Sequence, residues 1–81
     1  MRIAVDISLY PLNATFVPPI QDFIDRLHRH PGLRVETNAL STQISGDYEA
    51  VFGALQGEIR GTFERPDRAV FVLKVLGGAD R

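Results

Sequence analysis

Two kinds of apolar periodicity alternate along this chain, and their order restricts the folds it can adopt. Residues 2–10 alternate strictly, and one face is formed by Ile3, Val5, Ile7 and Leu9. Such alternation is typical of a β-strand that buries one side. After two prolines the spacing changes to that of a helical stripe, formed by Ile20, Phe23, Ile24 and Leu27. The first third of the chain is therefore predicted to be a strand followed by an amphipathic helix.

The remaining sequence predicts two further strands, a second helix and a last strand. Strands are predicted at 2–10, 33–37, 40–45 and 68–76, and helices from residue 18 or 19 to the His-Pro-Gly stop at 30–32 and from residue 48 to about residue 60 or 61. Asn38 and Ala39 are predicted to form a tight hairpin connection, with Leu40 already in the third strand. Asp47 is predicted to cap the second helix. The apolar content of the last strand indicates that both of its faces are at least partly covered.

These elements have the order β-α-β-β-α-β. Each helix has only one apolar stripe, and right-handed crossovers place both helices on the same side of the sheet. The prediction is an α+β fold, a ferredoxin-like two-layer sandwich with a four-stranded antiparallel sheet and two helices on one face. It is expected to form a single domain over residues 1–81.

The sheet face without helices is predicted to be mixed polar and apolar. By strand parity it carries Asp6, Ser8, Tyr10, Glu36, Asn38, Ser41, Gln43, Val70, Val72 and Lys74. If another subunit covered this face, its polar groups would need partners, and a ligand could supply them. Ser41 and Thr42 are adjacent, so an unbent strand must direct their hydroxyls to opposite faces. One of the two is therefore expected to be structural.

Composition narrows the possible functions. The chain has no cysteine, which excludes disulfides and a cysteine-based metal-transfer site. Its net charge is −1 and its pI is about 6.0, so neither nucleic acid nor an anionic membrane is an expected partner. The loop after the first strand, residues 11–19, has no arginine for a phosphate site of the acylphosphatase type. Without a recognisable signal peptide or membrane span, a cytoplasmic location is expected.

No catalytic constellation is recognisable from spacing. His28 and His30 are two residues apart and do not share a helical face, so they are interpreted as solvated rather than as metal ligands. No Ser-His-Asp arrangement can be argued from spacing. The chain is therefore predicted not to be an enzyme, and no catalytic residue, metal or cofactor is predicted.

Two segments resemble a known family. The sequence ISLYPL at 7–12, followed by RVETNALSTQISGDYEAVF at 34–52, resembles the thiamine-binding, YkoF-like family. The shared pattern is a Tyr-Pro-Leu turn after the first strand, a glutamate on the second, a threonine on the third and a Gly-acid helix start. The chain departs from it at Ala39, where the family often has proline, and at Ser45, where it usually has an acid. It also ends soon after the fourth strand, whereas many members continue.

The resemblance implies a ferredoxin-like subunit that assembles into a homodimer or homotetramer and binds thiamine or its hydroxymethylpyrimidine moiety without chemical turnover. By motif position, Glu36 and Thr42 match the family's glutamate and threonine, and Tyr10 matches the first-strand turn. Carboxylates and hydroxyls complement the amino group and ring nitrogens of an aminopyrimidine. The candidate ligand-binding residues are Ser8, Tyr10, Glu36, Asn38, Ser41 and Thr42.

Each candidate also has a purely structural interpretation. Glu36 would then pair with Lys74 or Arg34, Thr42 would be a core threonine, and Tyr10 would pack at a subunit interface. The alternative function is a structural or regulatory interaction module that uses the open sheet face for protein–protein association.

Overall fold

The computed structural model describes residues 1–80, and it confirms the predicted order of elements. The strands are β1 (Arg2–Pro11), β2 (Arg34–Thr37), β3 (Thr42–Asp47) and β4 (Ala69–Gly77), and the helices are α1 (Val17–Leu27) and α2 (Tyr48–Phe63). The strand order in the sheet is β2-β3-β1-β4, and all neighbouring pairs are antiparallel. The fold is the ferredoxin-like α+β sandwich that the sequence predicts.

The hydrophobic core lies between the helices and one face of the sheet. The four alternating apolar residues of β1 are all buried, as the strict periodicity predicts. Leu27 of α1, Ile44 of β3 and Val51 of α2 are completely buried opposite them. These residues fix the orientation of the sheet, because β1 and β3 can bury this side only by turning their polar side chains to the other.

Helix α1 begins one residue before the prolines that predict it. Pro18 and Pro19 lie in its first turn, where a missing N–H costs no intrahelical hydrogen bond. The helix ends at Leu27, and the turn that follows includes Gly32 at φ +86°. Glycine adopts this left-handed conformation without the Cβ strain that other residues incur. Within residues 1–80, neither helix is long and apolar enough to cross a membrane.

The connection between β2 and β3 is longer than predicted. Leu40 is not part of β3 but lies in the connection, where it is 90% exposed. The cause is Asn38, whose Oδ1 accepts hydrogen bonds from the N–H groups of Leu40 and Ser41. This side chain satisfies backbone donors that a two-residue hairpin would have placed in the ladder.

The predicted side-chain cap of α2 is also wrong. Asp47 occupies the N-cap position, but its side chain makes no capping hydrogen bond. The N–H of Tyr48 is instead satisfied by the carbonyl of Met1, at 2.9 Å. This bond continues the β1–β3 ladder, which pairs Arg2 with Asp47, by one residue into the start of α2.

The last strand is less covered than its composition suggests. Strand β4 is an edge of the sheet, and the prediction that both of its faces are at least partly covered holds only on the helix side, near the start of the strand. On the helix side Phe71 is partly buried, but Leu73 and Val75 are 38% and 45% exposed. The helices therefore leave the C-terminal half of this strand, from Leu73 onward, largely uncovered.

A network of charged and polar groups joins α1 to α2. Arg26 donates to Asp22, to the carbonyl and Oε1 of Glu58, and to Thr62 Oγ1, over distances of 2.7–3.0 Å. The other carboxylate oxygen of Glu58 lies 2.7 Å from His30 Nε2. His30 is thus paired with a carboxylate, and its interpretation as a solvated side chain is wrong. Arg26 and Glu58 are only 14% and 19% exposed, so the network is partly shielded from water.

We expect acid to weaken this network. Burial raises the pKa of Glu58, but hydrogen bonds from His30 and Arg26 outweigh it, so this pKa lies below its ordinary value of 4.5. A lowered folded-state pKa means that the carboxylate stabilises the fold above about pH 4.5 and that this contribution is lost as the pH falls through the folded pKa. Urea unfolding from neutral pH to about pH 3 should show a steeper loss of stability for the wild type than for Glu58→Gln. Identical pH dependence of the two proteins would contradict the assignment.

Two glycine substitutions should change stability in opposite directions. A Cβ on buried Gly46 would lie 3.0 Å from Leu33 Cδ2 and 3.2 Å from the carbonyl oxygen of Gly32. We expect Gly46→Ala to lower the free energy of unfolding by about 1–3 kcal/mol through this overpacking. Gly53 in α2 has open space around its Cβ position, so Gly53→Ala should raise the free energy of unfolding by about 0.5–1 kcal/mol. Urea unfolding of both variants tests this, and effects of equal sign would contradict it.

Candidate ligand-binding site

The open face of the sheet carries a hydrogen-bonded cluster centred on Asp6 of β1. Its Oδ1 accepts a short hydrogen bond from Ser41 Oγ and another, of 3.1 Å, from Gln43 Nε2. Gln43 Nε2 also donates to Ser41 Oγ at 2.7 Å, and β3 places Gln43 directly opposite Asp6. Both bonds to the carboxylate end on Oδ1. Among residues 1–80 no donor is bonded to Oδ2, which is therefore available to a ligand.

Asn38 holds this cluster in place from the β2–β3 connection. Its Oδ1 accepts from the backbone N–H of Ser41 at 3.1 Å, and its Nδ2 donates to Gln43 Oε1 at 3.1 Å. Its own N–H donates to the carbonyl of Ser41 at 3.0 Å. Asn38 thus fixes both the backbone of Ser41 and the amide orientation of Gln43, and these two side chains in turn orient Asp6.

The cluster keeps Asp6 negatively charged. The hydrogen bond from Ser41 and then that from Gln43 lower the pKa of this carboxyl, partial burial opposes them, and the charge of Lys74 lowers it further. Lys74 lies directly opposite Asp6 on β4. An anionic acceptor and a cationic donor therefore stand side by side on the open face.

Two shallow recesses flank this cluster and meet at Ala4. One, of about 290 Å³, lies towards β4 and is lined by Ala4, Val5, Asp6, Gln43, Lys74, Val75 and Leu76. The other, of about 230 Å³, lies towards β2 and is lined by Ala4, Arg34, Glu36, Gln43, Ile44 and Ser45. Ala4 and Gln43 belong to both. The two recesses are therefore neighbours on the open face.

The predicted residues Ser8, Tyr10 and Glu36 all lie on the open face but outside the Asp6 cluster. Tyr10 is 54% exposed and pairs with Val70 of β4. Glu36 lines the recess near β2, and its Oε1 accepts from Nε and Nη2 of Arg34 at 2.9 and 2.6 Å. Lys74 and Arg34 were the two predicted ion-pair partners of Glu36, and Glu36 pairs with Arg34.

The structure separates Ser41 from Thr42. Ser41 lies on the open face in contact with Asp6, whereas Thr42 is buried on the helix side, opposite Ile7. The Thr42 hydroxyl is 3.0 Å from that of Thr37. Thr42 therefore does not reach the Asp6 cluster, and Ser41 is the hydroxyl that is bonded to Asp6.

Three residues of the site lie on the predicted open face but are not among the predicted ligand-binding residues: Asp6, Gln43 and Lys74. Ala4 is a fourth. The available signal was register, because Asp6, Gln43 and Lys74 occupy neighbouring positions on three adjacent strands. To see from the sequence that these three residues are neighbours, one must know the order of the strands in the sheet. Strand parity gives only the face on which each residue lies.

Other parts of the described chain offer less to a ligand. A cavity between the start of β4 and the end of α2 has a volume of about 30 Å³, which suits a water molecule rather than a ring. Within residues 1–80, no three His, Cys, Asp or Glu side chains gather as a metal site. The two recesses of the open face thus have more room for an organic ligand than this cavity has.

Solved structures with the same architecture cover almost the whole chain. A hypothetical protein from Methanocaldococcus jannascii is 26% identical, with a TM-score of 0.83, over 99% of this chain and 84% of that one. A Thermotoga maritima protein, provisionally described as a thiamine biosynthesis/salvage protein, is 21% identical, with a TM-score of 0.70, over 99% of this chain and 87% of that one. A Streptococcus pneumoniae protein is 14% identical, with a TM-score of 0.76, over 96% and 88% of the two chains.

The family assignment rests on the sequence. No curated protein matches the chain significantly. The family model described as the YKOF-related family, however, matches residues 2–70, which include β1, both helices, β2, β3 and the start of β4. This span contains the Asp6 cluster and the two segments that carry the resemblance. The chain belongs to the YKOF-related family.

Proposed function

We propose that this chain is a non-catalytic binding protein for thiamine or its hydroxymethylpyrimidine moiety, which it holds on the open sheet face within a homo-oligomer. The observation that carries the proposal is the Asp6 carboxylate, which is oriented by Ser41 and Gln43 and has Oδ2 available beside two adjoining recesses. Family membership and the description of the Thermotoga maritima neighbour support the choice of ligand class.

The chemistry of the cluster suits an aminopyrimidine. Its amino group would donate to Oδ2 of Asp6, and a ring nitrogen would accept from Lys74, the cation opposite Asp6. A hydrogen bond that involves a charged partner is stronger than a neutral one, which favours this orientation over the reverse. The apolar side chains of Val75 and Leu76 would contact the ring itself.

The two recesses suit a ligand made of two linked rings. With the pyrimidine beside Asp6, a thiazolium ring attached through one carbon would cross Ala4 into the recess next to Glu36. The Glu36 carboxylate, which already accepts from Arg34, would then lie near the positive charge of the thiazolium and would be shared between Arg34 and the ligand. In this arrangement hydroxymethylpyrimidine would occupy only the recess beside Asp6 and bind more weakly.

The shallowness of both recesses supports an oligomer. Ligand sites usually have volumes of about 300–1,000 Å³ and bury most of the ligand, whereas these recesses are small and open. A second subunit over the open face would enclose the ligand, and a homodimer or a homotetramer could provide it.

Calorimetric titration tests the proposal. Thiamine and hydroxymethylpyrimidine should each release or absorb heat on binding and raise the melting temperature, since a ligand that binds only the folded state stabilises it. Thiamine should bind more tightly than hydroxymethylpyrimidine. Absence of both heat and a melting shift at about millimolar ligand would reject the proposal, because stabilisation grows with the ratio of ligand concentration to Kd.

The interaction-module alternative is favoured by one observation, the exposed apolar surface of β4. Glu36→Ala distinguishes the two hypotheses. A variant that keeps the oligomer but binds thiamine more weakly supports the binding site. A variant whose oligomer dissociates supports the interaction module.

A further inference from the structure

Four polar side chains form a line across the open face of the sheet. Glu36 of β2 lies opposite Gln43 of β3, which in turn lies opposite Asp6 of β1. Asp6 lies opposite Lys74 of β4. Residues that lie opposite each other on adjacent strands direct their side chains to the same face, and adjacent strands are about 4.8 Å apart. Across the sheet the chain therefore presents an ammonium, a carboxylate, an amide and a second carboxylate, in that order.

The ammonium of Lys74 and the carboxylate of Asp6 do not bind each other directly. Among the ion pairs of residues 1–80, none joins Lys74 to a carboxylate oxygen within 4.0 Å. The two hydrogen bonds to Asp6 both end on Oδ1. Both residues line the recess of about 290 Å³. One donor and one acceptor are therefore available to the same ligand, side by side.

We propose that Lys74, together with Asp6, makes the site specific for pyrimidines whose amino group lies between a ring nitrogen and the carbon that carries a second ring. Thiamine has this arrangement, whereas oxythiamine, its analogue with an oxygen in place of the amino group, does not. The specificity rests on the proposed function. Lys74 donates to the ring nitrogen, Asp6 accepts from the amino group, and the second ring lies towards Glu36.

The order of groups in thiamine is complementary to the order of side chains on the sheet. The carbon that carries the amino group has a ring nitrogen on one side and the thiazolium-bearing carbon on the other. The ring nitrogen accepts a hydrogen bond and the amino group donates one. The sheet presents a donor at Lys74, an acceptor at Asp6 and then the recess lined by Glu36. All three positions therefore match in one orientation of the ligand.

Oxythiamine has the opposite hydrogen-bonding pattern. Its ring nitrogen carries a proton and donates, and its oxygen accepts. In the orientation of thiamine, the N–H would face the ammonium of Lys74 and the oxygen would face the carboxylate of Asp6. If the ring turned over, both hydrogen bonds would form, but the second ring would point past β4, at the edge of the sheet, instead of towards Glu36. Oxythiamine therefore loses contacts in either orientation, and a site built for hydrogen bonds rejects such a ligand.

Replacing Lys74 removes a donor without neutralising Asp6. Hydrogen bonds from Ser41 and then Gln43 are the main causes that lower the pKa of Asp6, and the charge of Lys74 is a smaller one. In Lys74→Met the two hydrogen bonds remain, so Asp6 stays ionised at neutral pH. A change in ligand preference then reports on the donor at position 74. Lys74 is exposed and is the only lysine in the chain.

Calorimetric titration with thiamine and oxythiamine tests the specificity. The wild type should bind thiamine about ten- to a hundredfold more tightly than oxythiamine, the range of hydrogen bonds to charged groups. In Lys74→Met this ratio should fall by about five- to tenfold, because the ammonium no longer repels the N–H of oxythiamine or donates to the ring nitrogen of thiamine. Lys74→Arg keeps a charged donor and should largely retain the ratio.

Arg29→Met is the matched control, because Arg29 is an exposed cation just after α1. It should keep the wild-type ratio, and far-UV circular dichroism checks that each variant folds. Equal Kd values of the wild type for the two compounds would overturn the specificity but leave the proposed function in place. An unchanged ratio in folded Lys74→Met would overturn it as well. Binding of neither compound to the wild type would reject the proposed function, and the specificity with it.

Discussion

Replacing Asp6 by asparagine is expected to weaken thiamine binding by about ten- to a hundredfold, the range of a hydrogen bond to a charged group. The substitution keeps the size of the side chain but removes the negative charge beside the two recesses. It also changes the acceptor network, because Ser41 and Gln43 both donate to Oδ1. Titration calorimetry of the wild type and the variant at equal ionic strength measures the effect.

Two controls make this result specific. Asp25→Asn removes the same charge from α1, where the carboxylate is exposed and accepts a hydrogen bond from Gln21. Its Kd for thiamine should equal that of the wild type. Glu36→Gln should weaken thiamine binding but leave hydroxymethylpyrimidine binding unchanged, because only the thiazolium would lie near Glu36. Equal Kd values for Asp6→Asn and the wild type would show that Asp6 does not hold the ligand.

Replacing Arg26 by methionine is expected to cause the largest loss of stability from a single charged residue. The variant keeps most of the apolar stem but leaves Thr62 Oγ1 without this donor and leaves Glu58 with His30 as its remaining side-chain partner. Removing one partner of a largely shielded ion pair leaves the Glu58 charge poorly compensated, and we expect a loss of about 2–4 kcal/mol in the free energy of unfolding. Small domains have only about 5–15 kcal/mol in total, so the fraction lost is large.

Arg60→Met is the matched control on the same helix layer. Arg60 pairs with Glu64 at 3.7 Å, but both side chains are more than two-thirds exposed. Such surface pairs contribute at most about 1 kcal/mol, so Arg60→Met should unfold in urea almost as the wild type does. If both variants lost a similar free energy of unfolding, the shielded position of Arg26 would not be the reason why its network stabilises the fold.

The fold could be predicted because apolar residues recur at one spacing in the strands and at another in the helices. The alternation of β1 and the stripe of α1 depend on burial against one layer, and the structure buries the residues that these patterns select. Strand β4 was harder, because an apolar sequence fits both a covered strand and an edge that awaits a partner. Leu73 and Val75 lie on such an exposed edge. Sequence composition alone does not distinguish a covered strand from an exposed edge strand.

The candidate site was predictable only in part. Parity correctly placed Ser41 on the open face and Thr42 on the other. It could not show that Asn38 extends the connection and thereby brings Ser41 onto Asp6, because that depends on one side chain replacing ladder bonds. Asp6, rather than Glu36, is the central carboxylate of the site because the strand order places Gln43 on one side of Asp6 and Lys74 on the other.

The most direct test of thiamine binding on the open face is an amide NMR titration of the wild-type protein with thiamine. We expect the largest shift changes on β1 and β3 around Ala4, Asp6 and Gln43, together with Lys74 on β4. Amides on the outer sides of α1 and α2 should change little, because the sheet separates them from the ligand. Shift changes confined to the helices, or none at about millimolar thiamine, would contradict the assignment of the open face as the binding site.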